Sequence, residues 1–203
     1  MAFANGPKIV TDGLILALDA ADRTSYPGSG TTWSDLVGNN YGTLTNGPTF
    51  NSANCGTIVF DGTNDYVFIN SVTNYKSICF WVYWDDTGPL ATWRYLLDSR
   101  PGMNQGWFVP SSSSQGSDWK STFYVNGLQV TGCNETNVPK NRWNHVYLEG
   151  TNTSYTSTFN FMSRYSNDEQ AGGKMGGVCI YNRVLSTEEV LQNYNATKKR
   201  FGL

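Results

Sequence analysis

Three oxygen-bearing side chains, Asp61, Asn64 and Asp65, fall within five residues of the stretch FDGTNDYVFI (60–69), between two apolar runs. Hard oxygens at that density suit a calcium ion, which takes six to eight such ligands. The spacing departs from the D-x-[DN]-x-[DN]-G pattern of an EF-hand loop. A calcium site here would therefore gather further oxygens from elsewhere, with Asp35 in WSDLVG and Asp168 in SNDEQ as the candidates. The competing expectation is a turn, in which Asp and Asn side chains accept from nearby backbone N–H groups and Gly62 takes a positive φ. The turn is the expectation and calcium the alternative.

Glycosidic hydrolysis needs two carboxylates about 5–5.5 Å apart for retention. On a strand those acids stand at i and i+2 or i+4, where side chains share a face. The five glutamates, Glu135, Glu149, Glu169, Glu188 and Glu189, begin no such pattern, and Asp85-Asp86 and Asp168-Glu169 are adjacent pairs that a strand would split between faces. No catalytic residue is assigned, and a glycosidase is the weakest of the readings. His145 is the sole histidine and lies in RWNHV, where a structural role is expected. Cys55, Cys79, Cys133 and Cys179 show no metal-ligand spacing. Cys79 in SICFWVYW and Cys179 in GVCIYNRV sit in apolar runs, where cysteine behaves as a small buried hydrophobe.

Seven Trp and twelve Tyr open another chemistry, since aromatic faces stack on the C–H surfaces of sugars. Trp81 and Trp143 lie in strongly patterned strands and read as core. Trp93, Trp107 and Trp119 lie in Gly/Ser-rich or mixed polar contexts, so they are the candidates for an exposed carbohydrate- or partner-binding platform, with Arg100 as a polar neighbour.

The elements that must position these groups are short β-branched and aromatic runs bounded by Gly, Asn, Asp or Pro. LILALD (14–19), TIVF (57–60), YVFI (66–69), SICFWVYW (77–84), RYLLDS (94–99) and GWFV (106–109) read as strands. TFYVNGLQV (122–130) carries Asn126-Gly127 between apolar residues, a strong hairpin signal. NHVYLEG (144–150), TFNFMSR (158–164) and KMGGVCIYNRV (174–184) follow. SICFWVYW is apolar on both faces, so its second face is covered or used for binding, with covered expected. PSSSSQGS (110–117) reads as a mobile surface loop. One helix is expected late: Ser186 and Glu189 fit a capping box, Leu185 and Val190 a hydrophobic staple, and Val190, Leu191 and Tyr194 an apolar stripe.

Composition agrees with an all-β, antiparallel two-sheet sandwich with one short C-terminal helix. Charged residues are 15% of the 203, against about 25% in average soluble proteins. Gly, Asn, Thr and Ser make up about two-fifths of the chain, so its polar surface is largely uncharged, which suits neutral polar ligands such as glycans. A net charge of −2 argues against nucleic acid. No run approaches the roughly 18 apolar residues needed to span a bilayer. The opening MAFANGPKIVTDG lacks the pattern of a secretory signal, and no membrane insertion is expected.

WSDLVGNNYGTL (33–44), FDGTNDYV (60–67), RWNHVYLEG (142–150) and GGVCIYNRVLSTEEVLQNY (176–194), read in order, resemble the laminin-G-like branch of the concanavalin A-like lectin/glucanase superfamily. The resemblance implies a jelly roll over residues 1–203 as a single domain, with its core at about 14–194 and a C-terminal tail at 195–203. The opening through VLQNYNATKKRFGL also looks like small laminin-G-like proteins of tailed bacteriophages, notably those of marine cyanobacteria. That resemblance implies a virion location, assembled in the host cytoplasm. It implies a non-catalytic adhesion module binding host-surface glycan, or else a decoration or assembly protein binding other virion subunits, with homo-oligomers possible in either case.

Overall fold

The computed structural model describes residues 8–89, 93–100, 106–151 and 155–203. Among these lie fifteen strands: β1 (Leu14–Asp19), β2 (Thr32–Ser34), β3 (Tyr41–Thr45), β4 (Thr49–Asn51), β5 (Thr57–Asp61), β6 (Tyr66–Tyr75), β7 (Ser77–Asp85) and β8 (Leu97–Asp98). Then come β9 (Trp107–Val109), β10 (Ser114–Gln115), β11 (Thr122–Val125), β12 (Leu128–Thr131), β13 (Trp143–Glu149), β14 (Tyr155–Phe161) and β15 (Gly172–Tyr181). One helix, α1 (Thr187–Thr197), and a 3-10 turn at Lys198–Phe201 close the chain.

The strands form two antiparallel sheets, one ordered β12-β11-β13-β7-β15-β5-β4, the other β10-β9-β8-β14-β6-β3-β2. In the first, β15 pairs with β7 along one edge, while its other edge is divided between β5 and β1. Period-two alternation sends one side of each strand inward. Trp33, Phe60, Phe80, Trp84, Phe108 and Phe159 are all buried between the sheets. Each such side chain contributes about 1.5–3 kcal/mol of burial free energy, so the sandwich is held by its aromatic core.

The hairpin expected at Asn126-Gly127 joins β11 to β12, with both residues at positive φ (53° and 78°), as a type I′ turn requires. A methyl group placed on Gly127 would also come within 2.8 Å of Leu191 Cδ1 in α1. The strand reading missed β2, β3, β4 and β10, which are short or rich in Gly, Thr and Ser. RYLLDS shrinks to the two residues of β8. PSSSSQGS does not form a featureless loop: Pro110–Ser112 makes a 3-10 turn and β10 pairs back on β9.

α1 begins as expected. The Glu189 N–H donates to Ser186 Oγ, and the Ser186 N–H donates to the Glu189 carboxylate. Leu185 and Val190 are buried in one cluster with Cys79, Tyr147 and Tyr181. Leu191, however, is exposed, and the buried stripe runs instead through Val190 and Asn193. Asn193 caps the assembly by accepting from the Val10 N–H and donating to the Tyr181 hydroxyl.

The second face of SICFWVYW is covered, and the C-terminal residues are what cover it. Trp81 stacks on Phe201 with ring centroids 4.2 Å apart, lies 6.0 Å from Tyr194, and donates its indole N–H to Thr197 Oγ1. Residues 195–203 thus pack on the sheet through Thr197 and Phe201. Gly176 makes the fit possible, because a Cβ there would sit 2.5 Å from Phe201 Cζ. Arg200 locks the segment by donating to the carbonyls of Asn54, Gly56 and Gly176 and to Asp19.

Candidate functional site

With one outer face closed by α1, the outer face of the β10-to-β2 sheet is the other broad surface of the sandwich. Register aligns a row across it: Trp107 on β9, Asp98 on β8, Asn160 on β14, Phe68 on β6, Thr43 on β3 and Thr32 on β2. Their strand neighbours Phe108, Leu97, Phe159, Val67, Leu44 and Trp33 are in the core, so alternation turns the row outward. Tyr41 and Tyr66 share that outward face, the first exposed and the second half-buried.

At the β9 end the row gathers a cluster around Arg100. Asp98 Oδ1 accepts from the Arg100 N–H and Nε, both at 3.0 Å, and Oδ2 accepts from Nη2 and from the Tyr165 N–H. The Asp98 side chain is fully buried and that of Arg100 is 20% exposed. The guanidinium lies 4.6 Å from the Tyr165 ring centroid, 4.9 Å from Trp107 and 5.8 Å from Tyr95. Such cation–π contacts are strongest when desolvated. Burial works against the Arg100 charge, but the hydrogen bonds and charge of Asp98 outweigh it and hold the pKa above the usual value. Burial likewise raises the Tyr95 hydroxyl, only partly offset by the Arg100 charge.

The supports of this cluster come from the serine run. Ser114 Oγ accepts the Trp107 indole N–H at 2.9 Å, and Ser111 Oγ accepts the Arg94 backbone N–H at 2.8 Å. Arg94 is buried and donates to the carbonyls of Thr87, Asp86 and Gln170, fixing the segment from which Trp93 and Tyr95 project. Trp93 stands 43% exposed, 6.3 Å from Tyr95, its backbone N–H held by the Glu169 carboxylate. Tyr165, 50% exposed, comes from the β14–β15 connection. In that connection Arg164 pairs with Asp168, and this bond lowers the Asp168 pKa. Tyr165 is thus open to solvent beside a fixed planar cation, with the open Trp93 ring beyond Tyr95, an arrangement able to stack and hydrogen-bond a polar ring with hydroxyl groups.

Arg100 and Trp107 are therefore brought together, Trp93 joins them through Tyr95, and Trp119 does not. Trp119 is 2% exposed, 6.3 Å from Tyr75, and bridged to Gly150. Its polar neighbours in sequence suggested a surface position. Pairing with Gly150 turns the ring inward instead, so Trp119 offers no face to a ligand. Tyr95, Asp98 and Tyr165 were missed. Asp98 and Arg100 did carry a signal, since residues two apart in RYLLDSR share a face. Tyr165 carried none, because it arrives from a distant loop.

The five calcium candidates do not converge. Asp35 accepts from the N–H groups of Ala17, Val37 and Gly38. In the 60–69 stretch, Asp61 accepts from the Thr63 N–H, Asp65 from the Asp61 N–H, and the Asn64 carbonyl from Asn46 Nδ2. Asp65 is buried, which raises its pKa. Among the described residues no three His, Cys, Asp or Glu side chains converge on a common ion position. Asp35, Asp61 and Asp65 serve backbone donors and Asp168 the side chains of Arg164 and Ser166, and FDGTNDYV is a turn, with Gly62 at φ 71°. His145 is buried with no partner on Nδ1, and desolvation lowers its pKa to about 3. No helix among the described residues is long and apolar enough to cross a membrane.

No family model and no curated protein matches the chain. Solved structures do share its fold. A Trypanosoma rangeli sialidase in complex with the inhibitor DANA aligns at TM-score 0.57 and 16% identity over 96% of this chain and 36% of that one. Domain 4 of AbnA, a GH43 extracellular arabinanase from Geobacillus stearothermophilus solved with arabinotriose, aligns at 0.55 and 12% identity, over 89% of this chain and 98% of that one. The botulinum neurotoxin serotype D binding domain aligns at 0.57 and 15% identity, over 91% of this chain and 52% of that one. The chain spans little more than a third of the sialidase's length. At these identities the likeness is one of fold alone, a β-sandwich.

Proposed function

We propose that the chain is a non-catalytic carbohydrate-binding β-sandwich of the laminin-G-like kind, and that it recognises glycan on the outer face of the β10-to-β2 sheet around Arg100. The observation that carries this reading is the Arg100–Asp98 pair, set among Tyr95, Trp107 and Tyr165 with the open ring of Trp93 beyond Tyr95. A sugar ring would stack on Trp107 or Trp93 and accept hydrogen bonds from the guanidinium. Because Asp98 neutralises Arg100, the site suits uncharged sugars. The arabinotriose held by the AbnA domain supports the same ligand class for this fold.

The carboxylates near this face support binding without catalysis. Asp98 is held by Arg100 and Asp168 by Arg164, whereas hydrolysis needs one carboxyl as acid and another as base or nucleophile. The resemblance of the opening through VLQNYNATKKRFGL to phage laminin-G-like proteins supports a place on a virion surface, where the module would attach particles to host glycan. Glycan-array screening followed by calorimetry tests the binding. Micromolar to millimolar affinity for a neutral oligosaccharide, lost in Trp107→Ala, supports it; an array without a hit, or binding indifferent to Trp107, overturns it. Immunogold labelling of particles then separates adhesion, with label at fibre tips, from a structural coat, with label over capsid or tail shaft.

A further inference from the structure

Beneath α1, on the covered outer face of the β7–β15 pair, the register sets Cys79 directly opposite Cys179. All four cysteines are unbridged. Directly opposed residues of an antiparallel pair hold their Cβ atoms about 4.5–5.5 Å apart, and a disulfide needs about 3.5–4.5 Å. The two strands need only close by roughly an ångström on these figures. Both cysteines also line one cavity of about 100 Å³, together with Trp81, His145 and Thr197. Exposed Leu36 is part of its wall, so the cavity reaches the surface. Neither of the other cysteines has such an arrangement: Cys55 is exposed on a turn, and Cys133 is buried in the main core.

We propose that Cys79 and Cys179 form a two-thiol site that a hydroperoxide converts to a cross-strand disulfide. Cys179, the less buried of the two, attacks one oxygen of hydrogen peroxide, whose O–O bond breaks; the thiol becomes a sulfenic acid, and the departing hydroxide takes the thiol proton and leaves as water. Cys79 then attacks the Cys179 sulfur, the S–O bond breaks, and the hydroxyl departs with the Cys79 proton as a second water. Two thiols are oxidised and one hydroperoxide is reduced. The Cys79 thiol is well placed as the second reactant, lying directly opposite Cys179 on the neighbouring strand. The neighbouring Cys179, followed by burial, pushes the Cys79 pKa up, so Cys79 stays a protonated thiol and is the slower of the two to react with peroxide. The bond would join two central strands across a loop of about a hundred residues, the case in which a cross-link restricts the unfolded chain most. A protein folded with reduced thiols would thereby be secured once it met oxidising surroundings.

The test treats the folded full-length chain with hydrogen peroxide, then alkylates it after denaturation and maps peptides by mass. The expected product contains a Cys79–Cys179 linked peptide, lighter by two hydrogens than its two reduced halves, that reductant releases. Its thermal midpoint rises by several degrees, and Cys179→Ala abolishes both the linkage and the rise. Cys55, exposed on its turn, reports that peroxide was active. Oxygen addition at Cys179 with Cys79 still alkylatable overturns the proposal, as does oxidation of Cys55 while both buried-strand cysteines remain free.

Discussion

Phe201 stacks on Trp81 with centroids 4.2 Å apart and planes 25° from parallel, and this contact decides which face of the sandwich is left open. Trp81 lies on a strand apolar on both faces, and without a cover its outer side would be an exposed aromatic patch. Phe201, Tyr194 and Thr197 supply that cover. The opposite sheet keeps its own outward row, from Trp107 to Thr32.

Phe201→Ala should lower unfolding free energy by about 3 kcal/mol, the low end for losing a buried aromatic ring. Gly176→Ala should do comparable damage from the other side, because its methyl group would strike the same ring. Urea unfolding followed by tryptophan fluorescence checks both. A loss below 1 kcal/mol, on the same scale, would mean the C-terminal turn is not part of the cooperative unit.

Arg100→Lys should abolish glycan binding while leaving the fold intact, since an ammonium keeps the charge but not the planar fork that Asp98 grips. Arg100→Ala should in addition destabilise the protein by about 3 kcal/mol, because buried Asp98 loses its partner. Calorimetric titration beside thermal melts separates the two effects.

Acid should unfold the protein partly through His145. Its folded pKa, about 3, lies below the ordinary 6.5 because burial disfavours the charged ring. The unfolded chain therefore binds the extra proton between these values, so this contribution is complete above pH 6.5 and declines as pH falls toward 3. The slope is about 1.4 kcal/mol per pH unit. Asp65, raised by burial, works in the opposite sense near pH 4. Stability curves of His145→Gln should be flatter between pH 6.5 and 4 than those of the parent; parallel curves would refute the assignment.

Ser186→Ala should cost about 1 kcal/mol, the usual value of an N-cap. Glu189 should hold its charge to about pH 2 while its bond to Arg183 survives. Hydrogen exchange of the first turn of α1 reads the loss locally, and unchanged protection there would show that tertiary packing alone holds the helix.

What the sequence determined by itself is local. The Asn126-Gly127 hairpin, the Ser186/Glu189 cap, the Asp61–Asp65 turn and the two-faced strand around Trp81 each rest on contacts within a few residues, or on side-chain alternation that repeats every second position. The β-sandwich class follows from the same periodicity. Only the tertiary structure decided which aromatics are usable. Trp119 and Trp107 occupy similar polar contexts, yet pairing with Gly150 buries one, while β10 holds the other beside Arg100. Tyr165 joins Asp98 across 67 positions, and Cys79 meets Cys179 across a hundred. Such meetings depend on strand order and register, which are set by burying the whole apolar surface at once and leave no trace in any short stretch of residues.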